Sequence, residues 1–309
     1  MREDTIRVLI VDDSRFIAKK LEQLLGQQDG IKVVGKAFNG KEALEAIARL
    51  TPRCITLDVH MPGMNGLTVL KHVMIRCPTP TLMVSSYTAE GSWVTFDALR
   101  YGAVDFYKKP SDDSPEALEY EKKILIGKVI RTSRVKVEAA RFIRVRPKGA
   151  NVRVISGQDD APVVLIGGTG GYASILQIFA FLSKDRIRPC HIFLDAPENC
   201  VRGFARYVKT WFGIPTYVMT VDQEEIPDDM VVFFNNEKFT ARYERSISTV
   251  VLSGERDILK RFETFLAVSE REGFALEPSQ CLVPEMSAYF IGNGYGRSTH
   301  LDIARLLEG

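Results

Sequence analysis

Along the first hundred residues, short and nearly unbroken apolar runs alternate with segments whose apolar positions recur every three or four residues. The runs at 7–13, 31–37, 54–58, 81–85 and 104–107 predict strands, and the segments 14–28, 41–50, 67–76 and 95–101 predict helices. In 14–28 the residues Phe16, Ile17, Leu21, Leu24 and Leu25 share one face. Strands with so little alternation are covered on both sides, and strands separated by helices build βαβ units, so the pattern predicts a parallel sheet between two helical layers. From Glu116 to about residue 141 the pattern stays helical, and the same rhythm of strand and helix then resumes. Its second instalment has strands at 162–167, 190–195, 217–220, 230–234, 246–252 and 288–291, and helices at 172–182, 201–212, 258–271 and from 301. The fold class expected is therefore α/β, with two doubly wound parallel-sheet domains at 1–115 and 162–309. Between them lies a helical, basic linker, 116–161, whose end is rich in Gly, Pro and Asp.

Composition changes this picture little. The 309 residues suffice for two ordinary cores, and 45% apolar with 26% charged residues is normal for a globular chain. A net charge of +2 supplies no global attraction to nucleic acid or to a membrane surface. The most apolar stretch, 175–182, is too short to span a bilayer, and the N-terminal MREDTIRVLIVDD has no apolar signal region. Five scattered cysteines (Cys54, Cys77, Cys190, Cys200, Cys281) have neither metal-ligand nor redox spacing, so reduced thiols in a cytoplasm are expected. Charge is concentrated in one place, the run Lys122, Lys123, Lys128, Arg131, Arg134, Lys136, Arg141, Arg144, Arg146, Lys148 and Arg153. It reads first as the solvated face of an interdomain helix and second as a docking surface for an acidic partner.

Candidate chemistry gathers at strand ends. Asp12 and Asp13 close the first strand and Asp58 the third, and in a doubly wound sheet these carboxyl ends meet at the rim where ligands bind. Three carboxylates in one place repel, which a hard divalent cation relieves. Ser85 ends the fourth strand, and Lys109 follows the fifth in DFYKKP, before Pro110, a candidate cis proline. A carboxylate, a cation, a hydroxyl and a lysine around one pocket suit phosphoryl transfer to Asp58. The texts LIVDDS, ITLDVHMPGMNG, MVSS and DFYKKP, in this order and spacing, resemble the receiver domain of response regulators over residues 1–115. The resemblance implies that Asp58 is the phosphoacceptor. It also implies Mg²⁺ held by Asp13 with Asp12, Asp58 and the backbone carbonyl of His60, a switch hydroxyl at Ser85 and a phosphate contact from Lys109. Phe106 occupies the aromatic switch position, where relatives often carry Tyr. His72 falls on a helix and reads as a surface residue.

The segment MVSSYTAEGSWVTFDALRYGAVDFYKKP is similar to the receiver of one subfamily, the chemotaxis protein-glutamate methylesterases (CheB type), in which a linker joins the receiver to an esterase domain. That family places its nucleophile in I-G-A-S-T-G-G. Here the text is IGGTGG, residues 166–171: one residue is missing, and it is the serine. Gly168 then stands at the nucleophile position, with Thr169 beside it. The family's Q-H-M-P-P-G-F-x-x-S-F-A corresponds to LDAPENCVRGFA, which puts Asp195 where the histidine belongs. Asp257, in SGERDIL, stands in for the triad acid only across a gap, and the segment before it is too short for the family's R-P-S-V-D. His191 lies four residues before Asp195 on the same strand and reads as a packed residue, while His300 opens the last helix.

These resemblances imply a phosphorylation-regulated response regulator, with a histidine kinase as donor and chemoreceptors or other chemotaxis proteins as partners. Its second domain, having lost the Ser and His of the triad, is expected to act by protein binding. Two rivals stand beside it. A displaced site using Thr169 with His300 or Asp257 would keep glutamyl-ester hydrolysis. The spacing Gly168-x-Gly170-x-x-Ala173 between a strand and a helix, with Asp195 ending the next strand, matches a dinucleotide fingerprint.

Overall fold

The computed structural model describes residues 5–86, 93–110, 114–135, 137, 152–154, 162–168, 171–194, 196, 198–219, 226–235, 247–253, 271–276 and 296–308. The chain divides into two compact units, one ending at Phe142 and the other running from Ile143 to Gly309.

In the first unit five strands, β1 (Ile6–Val11), β2 (Ile31–Ala37), β3 (Cys54–Asp58), β4 (Thr81–Ser85) and β5 (Asp105–Lys108), form a wholly parallel sheet in the order β2-β1-β3-β4-β5. The strands are apolar because both faces are covered, and Val8, Leu9, Ile10, Ile55 and Leu57 are fully buried. Helices α1 (Arg15–Gly26), α2 (Gly40–Leu50), α3 (Gly66–Arg76), α4 (Trp93–Arg100) and α5 (Pro115–Ser133) provide the cover. Four of them begin on a polar cap readable in the sequence. Ser14 Oγ accepts from the Ile17 amide, Asn39 Oδ1 from Glu42, Asn65 Oδ1 from Thr68 and Ser114 Oγ from Ala117. Glu42 reaches back to the Phe38 amide at 2.8 Å, closing a reciprocal capping arrangement.

Helix α5 corrects the expected domain boundary at 115. Its Leu125, Ile126 and Val129 are buried in the same cluster as Val8, Ile10, Leu21 and Leu25, so the first part of the expected linker is the fifth helix of the first unit. The Lys109–Pro110 bond is also not cis: no described peptide bond is.

The second unit carries β6 (Arg153–Val154), β7 (Val163–Gly167), α6 (Gly171–Phe181), β8 (Arg186–Ile187), β9 (Cys190–Leu194), α7 (Glu198–Phe212), β10 (Thr216–Val218), β11 (Val231–Asn235), β12 (Ile247–Ser253), β13 (Arg271–Leu276), β14 (Gly296–Ser298) and α8 (His300–Glu308). Seven strands make a second all-parallel sheet in the order β10-β11-β9-β7-β12-β13-β14, and β6 pairs with β8 apart from it. Thus both units have the expected doubly wound α/β fold. Strands β6, β8, β13 and β14 lie outside the expected pattern, and the expected strand at 288–291 and the body of the expected helix at 258–271 fall outside the described residues. Helix α7 turns Val201, Phe204, Ala205, Val208 and Phe212 inward, the spacing of a single-faced helix, whereas α6 is buried on nearly every side.

Candidate functional sites

Strand order reverses at β1 in the first sheet, because β2 lies on one side of it and β3 on the other. A crevice opens at the carboxyl ends of strands at such a point. Asp12 and Asp13 follow β1 and Asp58 ends β3, and a ligand atom from each lies within 4.8 Å of those of the other two. Asp12 and Asp58 are buried and Asp13 is exposed. Lys109, delivered just after β5, is itself buried, and its Nζ lies 2.7 Å from Asp12 Oδ2 and 2.9 Å from Asp58 Oδ2. Backbone amides fix the other oxygens: Ser14 N–H donates to Asp12 Oδ1 at 3.0 Å and His60 N–H to Asp58 Oδ1 at 3.2 Å.

Electrostatics at this rim are unbalanced. Burial pushes the Asp12 and Asp58 carboxyls above the ordinary aspartate value, against the pull of Lys109. Burial opposes charge on Lys109 as well, but its hydrogen bonds to the two carboxylates win and raise it. Among the described residues, one ammonium faces three carboxylates, which leaves negative charge beside the buried Asp12 and Asp58. An all-oxygen donor set of this kind fits a hard divalent cation such as Mg²⁺.

Two details hold the rim in shape. A Cβ at Gly66 would fall 1.9 Å from the Asp58 carbonyl oxygen, so only glycine lets α3 start against the end of β3. Lys109 N–H donates to the Ser85 carbonyl at 2.7 Å, which registers the lysine loop on β4. Ser85 is buried at the end of β4. Phe106, partly buried on β5, meets Phe96 of α4 edge-on at 6.0 Å between ring centroids. Sequence reasoning missed its other neighbour: Lys128 of α5 pairs with Asp105 at 2.7 Å and stands 5.6 Å from the Phe106 ring. The signal lay within the basic run, but only a packed α5 reveals it.

In the second sheet the order reverses at β7, and the glycine turn follows that strand directly. Gly171 N–H donates to the Gly168 carbonyl at 2.9 Å, and a Cβ on Gly167 would stand 3.1 Å from Gly171 Cα, so the end of β7 and the start of α6 approach closely. Gly168 is buried. Thr169, Asp195 and Asp257 lie outside the described residues, as does the side chain of His300. His191 is placed: it pairs in register with Val164, four residues before Gly168, so it sits on the order of 13 Å below the turn. It is buried against Phe234, and that burial lowers its pKa to about 4.

Fold and rim together define the first unit as a receiver: residues 8–119 match the response regulator receiver domain family. Beyond the receiver, the chain is similar to proteins named protein-glutamate methylesterase/protein-glutamine glutaminase. The Geobacillus kaustophilus protein is 41% identical over 202 residues, 65% of this chain and 57% of that protein. The Thermotoga maritima protein is 35% identical over 206 residues, 66% of this chain and 59% of that protein. Coverage of about two thirds reaches past Phe142, so the similarity continues into the second unit. The chain spans a little under three fifths of the length of these two relatives. Among solved structures, the response regulator domain of Thermotoga maritima CheB is 42% identical, covering 43% of this chain and 98% of that one, with a TM-score of 0.39.

Proposed function

We propose that this chain is a cytoplasmic, phosphorylation-regulated response regulator of a chemotaxis-type two-component system. The observation that carries the reading is the buried Asp58 carboxylate, held by Lys109 and the His60 amide beside Asp12 and Asp13 at the reversal point of the sheet. In this reading a carboxylate oxygen of Asp58 attacks the phosphorus of a kinase phosphohistidine. The new O–P bond forms as the P–N bond breaks, and the departing imidazole keeps the electron pair and takes a proton from solvent. Lys109 neutralises charge on the transferred group, and Asp12, Asp13, Asp58 and the His60 carbonyl would hold Mg²⁺, which when bound would supply further charge neutralisation of the phosphoryl oxygens. Ser85 and Phe106 then report the new group to α4 and α5. A purified phosphohistidine kinase domain should transfer its label to this chain, and a chelator of divalent cations should stop the transfer. Label that stays on the kinase would refute the assignment.

For the second unit, the reading is a methylesterase-like domain that works by binding other chemotaxis proteins, chemoreceptors among them. It is supported by the missing serine and by a buried, side-chain-free Gly168 at the corner where the family carries its nucleophile. The similarity to named methylesterases past Phe142 supports the enzyme alternative instead. Methanol release from methylated receptor membranes separates the two. No release is expected, whereas release that falls in Thr169→Ala would establish a displaced site. Glycines at the reversal point of the second sheet also support a nucleotide, for which a nicotinamide dinucleotide titration followed by thermal shift is the test.

A further inference from the structure

Near the amino ends of β7 and β9, away from the glycine turn, the chain builds a basic corner that neither reading above uses. Val163 N–H donates to the Pro189 carbonyl at 2.9 Å, so residues 186–189 lie where β7 and β9 begin, not where they end. There β6 and β8 pair in parallel, with Arg153 opposite Arg186 and Val154 opposite Ile187. Val154 and Ile187 are buried, which turns both arginines to the outer face, and both are exposed. Like charges directly opposite one another across a strand pair repel. Among the described residues, the open cavity here, of about 640 Å³, is lined by Arg153, Ser183, Lys184, Asp185 and Arg186, three cations to one acid.

Next to these arginines the chain already hosts an anion of its own. The Glu308 carboxylate, at the end of α8, accepts from the Ser183 amide, from Ser183 Oγ at 2.9 and 3.0 Å and from the Lys184 amide at 2.7 Å. Lys184 Nζ donates to the Glu308 carbonyl at 3.2 Å. Consecutive amides converging on one carboxylate make an anion nest, and they tie the turn to the end of α8 beside the arginine pair. Asp185 adds a second fixed point, since its carbonyl accepts from Arg153 N–H at 2.7 Å.

We infer that the β6–β8 corner binds a small phosphate-bearing anion, gripped between the guanidinium forks of Arg153 and Arg186 with Lys184 beside them. Arginine forks match phosphate oxygens two at a time, and an anion between them turns a repulsive pair into an attractive triad. The ligand would also pin the segment carrying Arg153 onto the second unit's edge. This inference does not rest on the phosphorylation or the esterase reading.

Pyrophosphate titrated calorimetrically into the full chain, at fixed ionic strength and without divalent cations, tests it. One saturable equivalent is expected, weakened at least tenfold by Arg153→Gln or by Arg186→Gln and abolished in the double variant. Arg153→Lys and Arg186→Lys, which keep charge but lose the fork, should fall between. Lys19→Gln, on α1 of the first unit, should change nothing. ADP as a second titrant separates the sources: affinity like that of pyrophosphate identifies the phosphate alone, and a tenfold gain identifies a nucleotide. Absence of saturable heat, or equal binding by the double variant, would overturn the inference.

Discussion

At the scale of single residues, burial decides which positions matter. Gly66 is the tightest of them, because any Cβ would collide with the Asp58 carbonyl. Gly66→Ala is expected to cost about 2–4 kcal/mol in urea melts and to weaken cation binding at the rim, since the collision displaces the strand end that carries Asp58. Lys109 is the counter-charge for two buried carboxylates, so Lys109→Ala should destabilise by about 3–5 kcal/mol, with Mg²⁺ restoring part of the loss. His191 makes the pH prediction. Its folded pKa, about 4, lies below the ordinary 6.5, so its contribution to stability is complete above 6.5 and is lost as pH falls toward 4. Chemical denaturation across that window should show a loss of roughly 2–4 kcal/mol, and His191→Phe should flatten it. These residues differ in how they announce themselves. Asp12, Asp13, Asp58 and Lys109 were legible in the sequence because each ends or follows an apolar run, and parallel strands bring those ends together. The closeness of Gly66 to Asp58 was not, because it depends on how α3 leaves the loop, whereas His191 reads in the sequence as a packed strand residue and is buried on β9.

Elements were legible where pattern and caps agreed. Strands β2, β3 and β4 run over the residues their apolar runs mark, and α1 begins at the Ser14 cap. Helix α5 misled because its apolar positions are interleaved with Lys122, Lys123, Lys128 and Arg131, so the basic charge masks the face that packs on the sheet. Lys128 shows where some of that charge goes: to Asp105 and the Phe106 ring. Strand β6 escaped notice because two residues carry no period, and only its pairing with β8 defines it. The boundary makes a prediction. A fragment of residues 1–135 should fold cooperatively, and one of residues 1–115 should not, as read by circular dichroism and amide exchange. Leu125→Ala should cost about 2–5 kcal/mol, the loss expected of a fully buried leucine.

Across the whole molecule, the same architectural device occurs twice: a parallel sheet whose strand order reverses, at β1 in the first unit and at β7 in the second. In the first unit that place holds three carboxylates and a lysine, a set whose charge excess calls for a cation and whose buried Asp58 suits phosphoryl acceptance. In the second it holds a glycine corner without a nucleophilic side chain at Gly168, which is why the two units are assigned different kinds of work. Phosphoryl acceptance at Asp58 is the claim on which the assignment turns, and intact-protein mass spectrometry after incubation with acetyl phosphate and Mg²⁺ measures it directly. The account predicts a single phosphoryl adduct that needs Mg²⁺ and is absent from Asp58→Asn. An adduct that persists in Asp58→Asn, or none on the wild-type chain, would contradict it.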